Sequence, residues 1–352
     1  MKLADKKIAI IGGARPNFMK MAPLYRALKK EGLDFITINS GQHFSDNMAQ
    51  QFLDEFDIKI DYNINPRHDS LGLQLGDIFN GLKKILLKEK IELLIVFGDV
   101  NATLISALVA KELGIKVAHV EAGLRSFNDK MPEEKNRIIT DQISDYLLAP
   151  SQDAVKNLQD EGVNGKIVLV GNIMIDNVHH FLPQIESSDE EFYFCTLHRP
   201  ENVDNKENIL PILEALEYIS RDKKIYLPLH PRTKKNAESF GLTSLLDKVF
   251  HILEPLNYKQ SLYYQKNAVL VLTDSGGIQE ESSIFGTACL TLRDDTERPI
   301  TVTHGTNIVA GTSKEAIISA YQGMSFVKKS TDIPLWDGQT SERIIKFLQE
   351  YE

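Results

Sequence analysis

Three acidic residues follow one another through the first half of the chain, each just past an apolar run or at the start of a helical pattern. Asp99 stands in Gly98-Asp-Val-Asn-Ala-Thr103 and Glu121 in His119-Val-Glu-Ala-Gly-Leu-Arg-Ser126. Glu133 stands in Met131-Pro-Glu-Glu-Lys-Asn-Arg137. A carboxylate at the carboxyl end of a strand faces a cleft, where it can give or take a proton. Any one of them could instead cap a helix or pair with Arg125 or Arg137. Three in succession fit acid–base chemistry better.

A second set is suited to an anion. The apolar run Ala268-Val-Leu-Val-Leu272 leads into Thr273-Asp-Ser-Gly-Gly-Ile-Gln-Glu-Glu281. If a helix opens here, the backbone N–H groups of Ser275, Gly276 and Gly277 point out of its N-terminus, where the macrodipole favours phosphate. Glycine lets a phosphate approach the main chain. Glu281, less than two helical turns on, could reach a ribose diol, so the expected ligand is a nucleotide diphosphate. Two glycines alone would equally suit an ordinary turn. In the first half, Gly12-Gly-Ala-Arg-Pro-Asn-Phe-Met-Lys20 adds the cations Arg15 and Lys20. G-x-G-x-x-G is absent and no acidic residue closes the second strand. The cations therefore suit a phosphate or a leaving pyrophosphate better than a nicotinamide cofactor. Two histidines also follow strand-like runs: His198, with Arg199, could bind phosphate or act as an acid, and His230 could be functional or an edge residue.

The elements that must hold these residues are short strands alternating with helices. Strand-like runs are Ile8–Ile11, Phe35–Asn39, Leu93–Phe97, Lys116–Val120, Tyr146–Leu148 and Lys166–Val170. A second series comprises Phe192–Thr196, Lys224–Pro228, Val249–Ile252, Ala268–Leu272 and Ala288–Leu292. Met19–Lys30 and Asn101–Leu113 have helical spacing and end near Gly32 and Gly114. Two βα series imply two Rossmann-like parallel-sheet domains of the α/β class, with ligand at the carboxyl ends of the strands, in the cleft between them. The expected division is residues 1–171, a connecting helix and linker over 172–191, residues 192–335, and a C-terminal helix over 336–352. That last helix could cap either domain.

A length of 352 residues suggests two domains, and 42% hydrophobic with 25% charged residues are values of a globular protein. The net charge of −9 argues against a nucleic-acid partner or an anionic membrane surface. The opening apolar run is too short for a signal peptide or a membrane span. Cys195 and Cys289 make no metal-ligand spacing and fit a reducing cytoplasm. P-loop, H-E-x-x-H, C-x-x-C and G-x-S-x-G patterns are absent.

Taken in order, these blocks resemble the non-hydrolysing UDP-N-acetylglucosamine 2-epimerase family. The matching residues are Arg15-Pro16 with Lys20-Met-Ala-Pro-Leu24, Gly98-Asp-Val-Asn101, His119-Val-Glu-Ala-Gly-Leu-Arg125, and Pro132-Glu-Glu with Asn136-Arg137. They continue with Thr196-Leu-His-Arg and Glu201-Asn202, His230-Pro-Arg-Thr233, Leu272–Glu281, and Glu297-Arg-Pro299 with Gly305-Thr-Asn307. The resemblance implies a glycosyltransferase-B-type fold and C2 inversion of UDP-N-acetylglucosamine to UDP-N-acetylmannosamine, with no cofactor and no metal. It matches Asp99, Glu121 and Glu133 to catalytic carboxylates and His198 to the active-site histidine. Arg15, Lys20, Arg137, His230, Ser275, Gly276, Gly277 and Glu281 fall to substrate binding. It further implies a cytoplasmic homodimer supplying polysaccharide precursors. Gly13-Ala-Arg-Pro-Asn17 departs from the family's Gly-Thr-Arg-Pro-Glu, losing a hydroxyl and a carboxylate. Gln42-His43 keeps part of its activator-site pattern, which Asn63–His68 does not continue. The rival readings are epimerisation of UDP-2,3-diacetamido-glucuronate, a hydrolysing 2-epimerase, a glycosyltransferase, and a nucleotide-sugar sensor without catalysis.

Overall fold

The computed structural model describes residues 6–42, 53–128 and 131–351. The chain divides into two compact units, Met1–His180 with Pro334–Glu352, and Phe181–Ile333.

The first unit contains strands β1 (Ile8–Gly12), β2 (Phe35–Asn39), β3 (Tyr62–Asn63), β4 (Leu93–Phe97), β5 (Lys116–Val120), β6 (Tyr146–Ala149) and β7 (Lys166–Leu169). They form one sheet in the order β3-β2-β1-β4-β5-β6-β7. The second contains β8 (Tyr193–Thr196), β9 (Ile225–Pro228), β10 (Phe250–Leu253), β11 (Leu270–Thr273), β12 (Ala288–Thr291) and β13 (Asn307–Val309). Their order is β10-β9-β8-β11-β12-β13. All strand pairs in both sheets are parallel. A parallel strand covered by helices on both faces has no polar side. Accordingly β1, β4, β11 and β12 are buried at every position, which is why they read as continuous apolar runs.

Two strands lie outside the sequence expectation, β3 and β13, and each is a sheet edge. At two and three residues they are too short to carry a pattern. Neighbours define them instead. Asn39 donates to Asn63 Oδ1 at 3.0 Å, and Thr291 donates to Asn307 Oδ1 at 2.6 Å. Asn307 thus opens the strand β13. The first helix begins at Arg15 rather than Met19. Pro16 fits its first turn because no N–H is needed there.

Strand order reverses direction between β1 and β4 in one sheet and between β8 and β11 in the other. Crevices open at the carboxyl ends of strands at such switch points. Ile10 lies opposite Ile95 in the first pair, and Thr273 opposite Thr196 in the second. The paired strands therefore end almost level. Gly12 ends β1 and Gly98 follows β4 at one switch point, and His198 and Ser275 come just after the strands at the other.

The C-terminal helix Thr340–Tyr351 belongs to the first unit. Asp176 accepts the N–H groups of Thr340 (3.0 Å) and Ser341 (2.7 Å), and Arg343 donates to the carbonyl of Val170 at 2.7 Å. Tyr146 meets Phe347 edge-on at 5.5 Å.

Candidate active site

At the first switch point, Lys20 projects from the helix Arg15–Lys30 and pairs with Glu121; both side chains are nearly buried. Glu121 holds φ at +72°, a conformation that costs a non-glycine residue about 1–3 kcal/mol. The turn is pinned because the N–H groups of Glu121 and Ala122 both donate to Leu148 O, at 3.1 and 3.2 Å. Beside them Gly98 sits at φ +62°, where a Cβ would lie 2.7 Å from Lys20 Nζ and 3.4 Å from Glu121 Oε2. The positive φ favours glycine there, and a side chain would press on the ends of Lys20 and Glu121. His119 fixes Gly98 from behind. Fully buried, its Nε2 is 2.8 Å from Gly98 O and its Nδ1 is 2.7 Å from Asp141 Oδ1. Asp141 also accepts Arg125 Nη2 at 2.7 Å and the Gly123 N–H at 3.1 Å, tying β5 to the helix Pro132–Ile143.

Asp99, next to Gly98, pairs with Arg137, whose Nη1 is 2.6 Å from Glu134 Oε2. Glu134 is buried and also accepts the N–H of Ser126 (3.0 Å), the N–H of Phe127 (2.9 Å) and the Ser126 hydroxyl (2.9 Å). Glu133, one residue earlier, is exposed. Asn136 donates to Asp99 O at 3.0 Å and Asn101 Oδ1 at 2.9 Å. Arg15 is the first residue of its helix. His43 lies outside the described residues, whereas Gln42 accepts the Ala102 N–H at 2.6 Å.

At the second switch point the helix Gly276–Phe285 follows β11, with Ser275 as its N-cap residue. The Ser275 N–H donates to Thr273 Oγ1 at 2.9 Å. Gly276 and Gly277 are the first two helical residues, whose N–H groups no helical carbonyl can satisfy. A Cβ on Gly277 would meet nothing within 4 Å, and one on Gly276 only Glu297. Glu297 is 3.1 Å from Arg199 Nη2 and 2.8 Å from Arg293 Nη1. Burial pushes its carboxyl up, but Arg298, Arg293 and Arg199 together outweigh this and bring it down to about 2. Arg298 is also 2.5 Å from Glu280. Glu281 is buried and accepts Gln265 Nε2 at 2.7 Å. Thr296 and Asn307 both donate to Gln279 Oε1, at 2.6 and 3.2 Å, which ties the Thr296 and Asn307 segments to this helix.

His198 lies 3.2 Å through Nδ1 from Asp274 Oδ1, and its ring centre is 5.6 Å from that of the exposed His230. His230 caps the helix Pro231–Ser239 by accepting the Arg232 N–H at 3.2 Å. Cys195 and Cys289 are buried in the sheet, and burial raises both thiols, Cys289 to about 12. They are packing residues. Among the described residues no group of three or more His, Cys, Asp or Glu is placed to hold a metal ion.

Glu134, Asp274 and Glu297 are site neighbours that sequence reasoning did not single out. Each lay inside a block already noted, next to Glu133, Ser275 and Arg298 respectively.

Two parallel sheets with polar residues at both switch points, carboxylates at one and a glycine-started helix at the other, define a two-domain α/β enzyme of the nucleotide-sugar kind. Residues 26–349 match the sequence model of the UDP-N-acetylglucosamine 2-epimerase family, and the chain belongs to that family. It is 44% identical to the UDP-N-acetylglucosamine 2-epimerase of Methanocaldococcus jannaschii, covering 97% of this chain and 98% of that one. It is 38% identical, over 97% and 99%, to the UDP-2,3-diacetamido-2,3-dideoxy-D-glucuronate 2-epimerase of Pseudomonas aeruginosa. The crystal structure of the M. jannaschii enzyme with UDP-GlcNAc and UDP superposes with a TM-score of 0.86 at 43% identity, covering 98% and 99% of the two chains. The Neisseria meningitidis enzyme bound to UDP-GlcNAc gives 0.87 at 30% identity, covering 98% and 100%. The Acinetobacter baumannii MurG structure, 10% identical with a TM-score of 0.58, shares the fold alone.

Proposed function

We propose that the chain interconverts UDP-N-acetylglucosamine and UDP-N-acetylmannosamine by inverting C2. The C2 proton is not acidic enough to be removed alone. Its removal becomes feasible when the C1–O bond to UDP breaks in the same event. The C2–H electron pair then forms a C1=C2 double bond, and UDP leaves with the C1–O pair. Re-addition of a UDP oxygen to C1 and of a proton to the opposite face of C2 gives the epimer, with atoms and charge balanced. Asp99, Glu121 and Glu133 are the proposed proton donors and acceptors. His198 is the proposed catalytic histidine. Arg15, Lys20, Arg137 and His230 are the proposed groups for substrate binding, with the N–H groups of Gly276 and Gly277 and with Ser275, whose N–H is instead given to Thr273 Oγ1. Glu281 is proposed for the ribose.

The observation that carries this reading is the pairing of Glu121 with Lys20 and of Asp99 with Arg137 at a switch point. A carboxylate paired to a cation is a poor base. A diphosphate oxygen offered to Lys20 competes with Glu121, freeing it when substrate is present. Catalysis is thereby coupled to binding.

A second reading, the same reaction on a diacetamido-uronate sugar, draws support from the Pseudomonas relative. Asn17 is buried, accepts the Ala14 N–H at 3.1 Å and donates to Phe97 O at 2.7 Å. The glutamate common in the family could not make that donation. A cytoplasmic homodimer is part of the proposal and rests on resemblance. Among the described residues no helix is long and apolar enough to cross a membrane.

Proton NMR of the protein with UDP-N-acetylglucosamine in deuterated water tests the reading. It predicts UDP-N-acetylmannosamine carrying deuterium at C2. Free N-acetylmannosamine would mean hydrolysis, and unchanged substrate would favour the diacetamido-uronate sugar.

A further inference from the structure

Asp274 is fully buried at the end of β11, and its two carboxylate oxygens have different tasks. Oδ2 accepts the backbone N–H groups of His198 and Arg199, each at 2.8 Å, and Asn202 Nδ2 lies 3.4 Å away. Asn202 is itself fixed by a 2.9 Å bond to Leu292 O. Oδ1 faces His198 Nδ1 at 3.2 Å. The loop after β8 is thus wrapped around one carboxylate, which sets both the backbone and the ring of His198.

We propose that Asp274 is a positioning residue for His198, keeping a proton on Nδ1 and presenting Nε2 to the substrate. An ionised carboxylate can only accept. Oδ1 is buried with no hydrogen-bond partner among the described residues, so Nδ1 at 3.2 Å is the group placed to turn a proton towards it. Burial alone would raise the Asp274 carboxyl. Its 3.2 Å contact with the His198 ring and the N–H groups of Arg199 and His198 outweigh this and hold it below the usual carboxylate range. Nε2 is then the ring nitrogen that faces the diphosphate, giving a proton to the phosphate oxygen as the C1–O bond breaks and taking it back when that oxygen returns to C1. The carboxylate behind the ring compensates its charge while it holds both protons. This assignment rests on the proposed epimerase reading for what Nε2 does, but the tautomer stands apart from it.

The D274N variant separates charge and tautomer from shape. Its amide has one oxygen, and two backbone N–H groups point at the Oδ2 position. The oxygen must stay there, so the amide NH₂ faces Nδ1 and forces the proton to Nε2. Long-range proton–nitrogen NMR of histidine-labelled protein in alkaline buffer reads this directly, with His198 assigned by its loss in H198Q. The wild type is expected to show Nδ1–H and D274N to show Nε2–H. With UDP-N-acetylglucosamine, kcat of D274N should fall at least about 100-fold, the direction expected of a wrong tautomer, while the UDP dissociation constant stays within threefold. A wild-type ring protonated on Nε2 alone would overturn the proposal. So would D274N turnover within threefold of wild type. If D274N does not fold, the wild-type tautomer alone decides. An Nδ1–H ring in a protein that does not epimerise UDP-N-acetylglucosamine would sink the functional reading and leave the positioning role intact.

Discussion

In the first unit the switch point between β1 and β4 is lined with charged side chains in ion pairs, Lys20 with Glu121 and Arg137 with Asp99. In the second, the one between β8 and β11 offers main-chain N–H groups at a helix start, with the charge of Glu297 enclosed by arginines. The same topology has been equipped in two ways. Paired side chains can exchange partners and protons, so the first region is suited to chemistry. Main-chain dipoles neither titrate nor move, so the second is suited to gripping the diphosphate, with the His198 ring beside them to pass its proton.

The largest effect should come from breaking the ionic frame of the first region. Asp141→Ala leaves His119 Nδ1 and the Gly123 N–H without their buried acceptor, and leaves Arg125 paired with Glu161. It should destabilise the first unit by about 2–3 kcal/mol, seen as a lower denaturation midpoint. A loss under 1 kcal/mol would mean that the network does not hold Gly98 and Glu121 in place. Next, Gly277→Ala sharpens the contrast, because a Cβ there has open space within the protein. Stability should hold or rise slightly, while UDP binding measured by calorimetry weakens about tenfold from crowding of the main-chain approach. Unchanged UDP affinity would remove the phosphate from this turn.

A third test is a pH dependence. Glu297 is brought down to about 2 in the folded chain, against a model-peptide value of 4.5. A depressed carboxyl stabilises the fold above its unfolded value, and this contribution is lost as pH falls from about 4.5 towards 2. Glu297→Gln should therefore differ from wild type most above about pH 5, and the two stability curves should converge on acidification. Parallel curves would show that the arginines do not hold the carboxylate.

Much of this division was legible in the sequence because parallel strands buried on both faces leave uninterrupted apolar runs, and the residue after such a run lands at the sheet's carboxyl edge. Asp99, Glu121, His198 and Ser275 were found that way. Helical phase was harder to read. Glu133 and Glu134 are adjacent and chemically identical, yet one is exposed and the other buried against Arg137, which only the helix's packing decides. Asp274 was overlooked because its partners, the N–H groups of His198 and Arg199, arrive from a distant loop brought alongside by the β8–β11 pairing. The edge strands β3 and β13 carry no pattern of their own.

The most direct test of the division between chemistry and grip is to measure turnover and UDP affinity on the same preparations of Asp99→Asn and Glu121→Gln. The account predicts that kcat falls by about 10³-fold in each, within the range for loss of a general acid or base. UDP affinity should stay within threefold, or tighten in Glu121→Gln as Lys20 is released. A parallel fall of kcat and UDP affinity would make these carboxylates binding groups and contradict it.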